Sequence, residues 1–331
     1  MIWLTWRQAR TQFLVAAIAL AVLAAYLIYL GVHIRHDYLS MVVNCDPNEC
    51  GNTRRQFTDN YVAPVSLLGL LLLAVPGLVG AFWGAPLVAR ELETKTDRLV
   101  WNQSVTRGRW LAVKLLGVGL AAVALSGLLS LLLTWNFSRY DQWAGDRFAA
   151  MCFAARNVVP LGYAAFAFVL GVLVGLVVRR TVPAMAIVLG VFAALQIVMP
   201  SAVRTHLMSP ITVSVPYTAE TMQHAHGFGI NRDRGASING YTMPGTWPQQ
   251  SEAYVYNADG SRYKVEQAQA CMKGDPDKDF ACMAGQNLHF SYTYHPGSRY
   301  WPFQWIEFSI YLGLAVILAA GTFWWIRRRI N

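Results

Sequence analysis

The chain has 331 residues, 55% of them hydrophobic and only 14% charged, with a formal net charge of +9. A soluble domain carries about a quarter of its residues as Asp, Glu, Lys and Arg, so this composition excludes an ordinary water-soluble protein. The basic excess does not signal nucleic acid either, because the charges sit in the gaps between long apolar stretches and the basic ones crowd into alternate gaps.

Crossing about 30 Å of hydrocarbon takes roughly 20 apolar helical residues. Such stretches occur at 13–32, 62–88, 111–135, 157–178, 182–203 and 303–326. The fold expected is therefore an all-α polytopic membrane protein with six transmembrane helices, sitting multi-pass in the plasma membrane. With the N- and C-termini cytoplasmic, the inner side receives Arg7, Arg10, Arg90, Lys95, Arg98, Arg107, Arg109, Lys114, Arg179, Arg180, Arg327, Arg328 and Arg329 against only Glu91, Glu93 and Asp97. Short inner loops rich in Arg and Lys are what orients a polytopic chain.

Residues 1–12 place Ile2, Trp3, Trp6 and Arg10 at helical spacing and read as an amphipathic N-terminal surface helix; the competing reading makes them the start of the first span. The apolar run that follows is too long for a cleaved leader, whose core is about 7 to 15 residues. Residues 13–203 hold the first five spans. The second carries Pro64, Pro76 and Pro86 with Gly69, Gly77, Gly80 and Gly84, residues that bend a membrane helix or let a neighbour approach closely. Residues 89–110 form the one inner segment long enough to have structure of its own. Its mixture of Arg90, Glu91, Glu93 and Arg98 with Leu92, Leu99, Val100 and Trp101 suits a short helix that is polar toward water and apolar toward a partner.

Residues 204–302 are long enough for a small domain outside the membrane. Strand-like alternation occurs at Ile211–Tyr217, Ala253–Asn257, Ser261–Val265 and Leu288–Tyr294, with a hairpin turn at Asn257–Gly260 and a short helix from Val265 to Met272. The expectation is a mixed α/β extracellular domain between helices 5 and 6. Residues 303–331 give the sixth span, bracketed by Trp301, Trp305, Trp324 and Trp325 as interfacial anchors, and a basic tail. Four of the five cysteines fall on the outer side, where disulfides persist. The expected pairs are Cys45–Cys50 and Cys271–Cys282, although four cysteines allow three pairings. No metal site is expected: His224, His226, His289 and His295 and the acids Asp275, Asp277 and Asp279 lack complementary ligands at metal spacing, and a solvated surface is the expectation for them.

No lysine follows a glycine in a phosphate-loop pattern, and neither a zinc-protease helix nor a nucleophile elbow is present. The chain is therefore not expected to be an enzyme. Carboxylates and histidines within the spans are nearly absent, with His33, Arg156 and Glu307 placed near span ends at headgroup depth, which disfavours an ion-driven transporter.

Arg90, Glu91, Glu93 and Thr96, followed by Gln103, Ser104, Val105, Thr106 and Arg107, resemble the element after the second span in permeases of the type-2 family of ABC exporters, with Lys95 where that family favours Gly. The wording of this stretch and of the opening Trp3 to Gln8 is similar to actinobacterial members. The resemblance implies a permease subunit exporting an amphipathic or hydrophobic compound. It implies ATPase-coupling residues at Arg90, Glu91, Glu93, Thr96, Arg98, Trp101, Gln103 and Ser104, a cytoplasmic ABC ATPase subunit holding ATP and Mg, a second permease protomer as homodimer or close paralogue, membrane lipid as surroundings, and no cofactor in this chain. Two other readings stay open from the residues alone: a membrane-anchored sensor or envelope protein without transport activity, and a membrane-bound enzyme of the outer face.

Overall fold

The structure is a computed structural model that describes residues 2–43, 50–94, 106–138, 140, 147–222, 224–231, 235–274 and 276–328; side chains are described from Leu14 onward, apart from those of 16, 42, 50–52, 54, 55, 276 and 277. It divides into a unit of residues 1–204 with 301–331 and a unit of Thr205–Tyr300.

In the first unit, helix α1 (Ile2–Asp37) runs unbroken through residue 12 and continues as a π turn to Val43. Helix α2 (Cys50–Val79), a π turn at Gly80–Gly84 and α3 (Ala85–Glu93) form one long rod. Then follow α4 (Arg107–Phe137), the short α5 (Ala150–Ala154), α6 (Val159–Val178), α7 (Thr181–Val198), extended by π and 3-10 turns to His206, and, after the second unit, α11 (Tyr300–Arg328). Among the described residues six helical segments are long and apolar enough to cross a membrane: Ala17–Met41, Gln56–Glu93, Arg107–Phe137, Val159–Val178, Thr181–His206 and Gly297–Arg328. Each overlaps one expected stretch, and the second extends several residues further at both ends than apolar composition alone indicates.

The fourth span is the most enclosed, with 61% of its apolar window buried against 22% for the first, fifth and sixth. It packs mainly against the second, third and fifth, and the sixth meets it at Gly162 and Tyr163. Because lipid is as apolar as Leu, no hydrophobic force drives these helices together, and close packing must do so. Small residues supply it. Gly171 faces the Gly80 carbonyl, Gly175 faces that of Ala85, Gly80 faces that of Ala167 and Gly84 that of Phe168, all so close that a β-carbon at any of the four glycines would collide with main chain. The π turn adds to this, since the Ala85 amide reaches back to the Gly80 carbonyl and widens the helix where the fourth span lies against it. Around this seam Val79, Val88, Trp110, Leu111, Phe168, Val172, Leu176 and Ile326 form one buried cluster, and Leu27, Ile34, Phe57, Leu72, Leu133 and Phe137 a second that joins the first three spans. Outward-facing side chains are large and apolar, as at Val182 (75% exposed) and Ile197 (70% exposed), the face a lipid-immersed helix shows.

The second unit contains an antiparallel sheet in the order β1 (Ile211–Pro216), β6 (His289–His295), β5 (Glu252–Tyr256), β3 (Gly235–Asn239), β2 (Gly227–Asn231), with β4 (Trp247–Pro248) pairing β6. Helices α8 (Ala219–Met222), α9 (Val265–Cys271) and α10 (Pro276–Ala284) accompany it. Val215, Ile238, Val255, Tyr263, Ala268, Leu288, Phe290 and Tyr292 make its core. The disulfide Cys271–Cys282 ties α9 to α10, whereas Cys45 of the other expected pair lies outside the described residues.

Two expectations are corrected here. Ser261–Val265 is not a strand: after the turn, in which Gly260 takes φ +83, the chain makes only an isolated bridge from Tyr256 to Arg262. The Gln267 side chain accepts from the Lys264 amide at 2.9 Å and starts α9, ending any extended run. His295 is not solvated. It is fully buried, with its ring against Trp247 at 5.3 Å and Nδ1 accepting from Arg299 at 3.1 Å.

Gly171→Ala should lower the unfolding midpoint in detergent by the equivalent of about 1–3 kcal/mol, while Gly117→Ala, whose β-carbon meets nothing, should leave it unchanged or raise it slightly. A second expectation concerns acid. Burial, then the nearby Arg299 charge, holds the His295 imidazole below its ordinary 6.5, so the unfolded state binds this proton more readily. Stability from this group is complete above about pH 6.5 and declines as pH falls toward the lowered folded value. Protection from hydrogen exchange at the Trp247–His295 pairing, measured against the intrinsic rate at each pH, should fall over that interval, and His295→Gln should flatten the response.

Candidate functional site

The second-span rod carries three of the expected coupling residues beyond its apolar stretch. Arg90 is exposed, and its carbonyl receives the Thr94 amide at 3.0 Å and the Thr94 hydroxyl at 2.8 Å, which terminates α3. Glu91 is turned inward, with Oε1 2.6 Å from Lys114 Nζ. Lys114 itself is 3% exposed, donates to the Leu87 carbonyl at 3.0 Å and lies 4.5 Å from the Trp110 ring centroid. Glu93 Oε2 accepts both the Thr181 amide at 3.1 Å and the Thr181 hydroxyl at 2.8 Å. The two carboxylates are thus engaged by the third and fifth spans of the same chain. Thr96, Arg98, Trp101, Gln103 and Ser104, like Lys95, lie outside the described residues.

On the far side of that segment the third span begins at a definite cap. Thr106 has extended backbone, and its hydroxyl accepts from the Arg109 amide at 3.4 Å, the role Ser and Thr fill at helix N-termini. Residues 95–105 therefore connect a helix end fixed at Glu93–Thr94 to a helix start fixed at Thr106.

The fourth and fifth spans are joined by Arg179 and Arg180 alone. Arg179 adopts the left-handed conformation, φ +58, and its amide returns to the Gly175 carbonyl at 3.0 Å. Gly is the usual residue for this geometry. Arg180 is extended and makes no side-chain cap for the fifth span, so the Glu93 carboxylate supplies what the turn lacks.

At the opposite end of the fifth span lies a buried polar group that the sequence reading missed. Arg204 Nε donates to Glu307 Oε2 at 2.8 Å and Nη2 to Oε1 at 3.0 Å, and the Tyr163 hydroxyl also donates to Glu307. Arg204 is 1% exposed, Glu307 and Tyr163 0%, and the guanidinium lies 4.1 Å from the Phe153 ring centroid. Next to it the Gln304 carboxamide donates to the Phe153 carbonyl at 2.9 Å and accepts the Val159 amide at 3.2 Å, capping the fourth span. The expectation that Glu307 and Arg156 reach toward headgroups is corrected: Glu307 is satisfied inside the protein. Arg156, 3% exposed, lies 5.1 Å from the Phe137 ring centroid and reaches Cys152 Sγ at 3.8 Å. A signal was present in the sequence, a lone Arg closing one apolar stretch and a lone Glu opening the next.

Chemically, this arrangement holds no nucleophile beside a base among the groups described above. It is a set of polar staples at both ends of a helical bundle, which can transmit displacement. Compared with known families, residues 17–204 match the one described as ABC-2 membrane transporter related. No curated protein and no solved structure matches the chain.

Glu307→Ala should strand the Arg204 guanidinium and cost about 3–5 kcal/mol, seen as loss of monodisperse protein in detergent. The pair Arg204→Met with Glu307→Leu should recover most of it, because an apolar replacement leaves no buried charge behind.

Proposed function

The chain belongs to the ABC-2 membrane transporter related family, and from that premise we propose that it is the permease of an exporter whose ATPase is a separate cytoplasmic subunit. The observation that carries this reading is the family match across residues 17–204, which takes in the segment 95–105 and both of its anchored ends. ATP with Mg belongs to the partner, which presses on this segment. A second copy or close paralogue packs alongside, and the second and fifth spans line the route between them. Their apolar surfaces suit an amphipathic or hydrophobic cargo moving outward.

The orientation proposed puts both termini and residues 95–105 in the cytoplasm and residues 205–300 outside. The disulfide Cys271–Cys282 supports that side for the inserted unit, since such bonds persist in oxidising surroundings. So does the gathering of Arg179, Arg180, Arg327 and Arg328 at span ends assigned to the inside.

Affinity purification from the native membrane should bring down a chain with a phosphate-loop lysine, and Arg90→Glu combined with Arg98→Glu should release it. Glu91 is left intact in this test because its ion pair with Lys114 makes it part of the fold. Retention of the ATPase by the doubly reversed protein, with unchanged ATP turnover, would count against docking at this segment.

A further inference from the structure

We propose that Glu93 is a positioning residue that passes movement of the 95–105 segment to the fifth span, rather than a contact for the ATPase. This rests on the reading of the chain as an ATPase-driven permease. Glu93 is the last residue of α3, directly before the segment on which the partner would press. One of its carboxylate oxygens takes both the amide and the hydroxyl of Thr181, the first residue of the fifth span. A carboxylate there also meets the positive end of the helix dipole.

The connection is unusually direct because the turn before Thr181 has no slack. Arg179 is held left-handed by its bond to Gly175, and Arg180 provides no cap of its own. A displacement of the end of α3 therefore pulls on the first turn of the fifth span. From there the helical segment runs continuously from Thr181 to His206, and its Arg204 grips Glu307 of the sixth span with two hydrogen bonds. The path is thus α3, Glu93, fifth span, Arg204, Glu307, sixth span. Glu91 to Lys114 is a parallel tie to the third span. Covalently, the segment 95–105 leads only to the second and third spans; Glu93 adds the fifth.

The test uses the permease–ATPase complex purified whole and reconstituted, with hydrogen exchange followed at Thr181–Ala184 and around Glu307, with and without ATP plus vanadate. In the wild type the trapped state should alter exchange in both places. In Glu93→Ala the alteration should stop at the 95–105 segment, with ATP-driven cargo movement down about tenfold, while ATPase co-purification stays as in the wild type and the unfolding midpoint falls only slightly, as loss of one helix cap requires. Glu93→Gln, which keeps an acceptor for Thr181, should restore most of the response, and Thr181→Val should reproduce part of the loss. Exchange changes that still reach the fifth and sixth spans in Glu93→Ala would overturn the proposal and leave the permease reading intact. If Glu93→Ala does not assemble, Thr181→Val decides: because the amide bond to Glu93 remains, a partial loss of the response at the fifth and sixth spans supports the proposal, and a response of wild-type size overturns it. A wild-type chain that brings down no ATPase would overturn both.

Discussion

The contact of the second span with the fourth, main chain against main chain, sets the positions of the other groups. Gly80 and Gly84 on one helix and Gly171 and Gly175 on the other leave no side chain between them. That closeness fixes the axial register as well as the distance. Gly175 abuts Ala85 and Ala89. One helical turn further on, the same faces present Glu93 from α3 and Arg179 from the fourth span, since residues four apart lie above one another on a helix. Glu93 is thereby carried to the Arg179–Arg180 turn and reaches Thr181. Larger residues at the glycines would push the helices apart and carry the carboxylate away from the amide it caps.

Polar groups then specify which helices are neighbours. Inside a bilayer an unsatisfied polar atom has no water to turn to, so matching a buried one with a particular partner is favoured, although among the described residues Ser126 Oγ, Asn136 Oδ1 and Gln196 Nε2 have no hydrogen-bond partner. Asn136 of the third span donates to the Leu27 carbonyl of the first, at the point where Gly31 leaves room for it. Ser130 donates to the Asn157 carbonyl at 2.8 Å. Gln304 of the sixth caps the fourth, Glu93 of the second caps the fifth, and Arg204 pairs with Glu307. The uncharged bonds among these average well under about 1 kcal/mol each in membrane proteins. Their contribution is selectivity: a bundle with its spans exchanged would leave these groups unmatched.

Much of this was legible in the sequence. The six spans follow from apolar length alone, and the glycines of the second span announce a close neighbour. The neighbour's identity is not local information, because Gly171 and Gly175 look like ordinary membrane glycines until Gly80 and Ala85 are placed against them. Helix ends were also beyond reach: Arg90, Glu91 and Glu93 read as part of a separate short helix, yet they continue the second-span rod, with Lys114 and Thr181 satisfying Glu91 and Glu93 from other parts of the chain. Glu307 read as a headgroup contact because a single carboxylate near a span end gives no sign of Arg204 and Tyr163 converging on it. In the second unit β1, β5 and β6 show through their alternation. By contrast β2 and β3, Gly-Phe-Gly-Ile-Asn and Gly-Ala-Ser-Ile-Asn, are too rich in small residues to register as strands, and are held by pairing with each other and with β5.

The two-residue link between the fourth and fifth spans bears on how the protein is made. Val159–Val178 and Thr181–Val198 are separated by so little chain that neither can settle in the bilayer long before the other. Two spans so closely joined are expected to enter the bilayer together as one helical hairpin. The second half of that hairpin starts without a cap of its own, and Glu93, which precedes it in the chain, supplies one. The helix made first thereby completes the one made later.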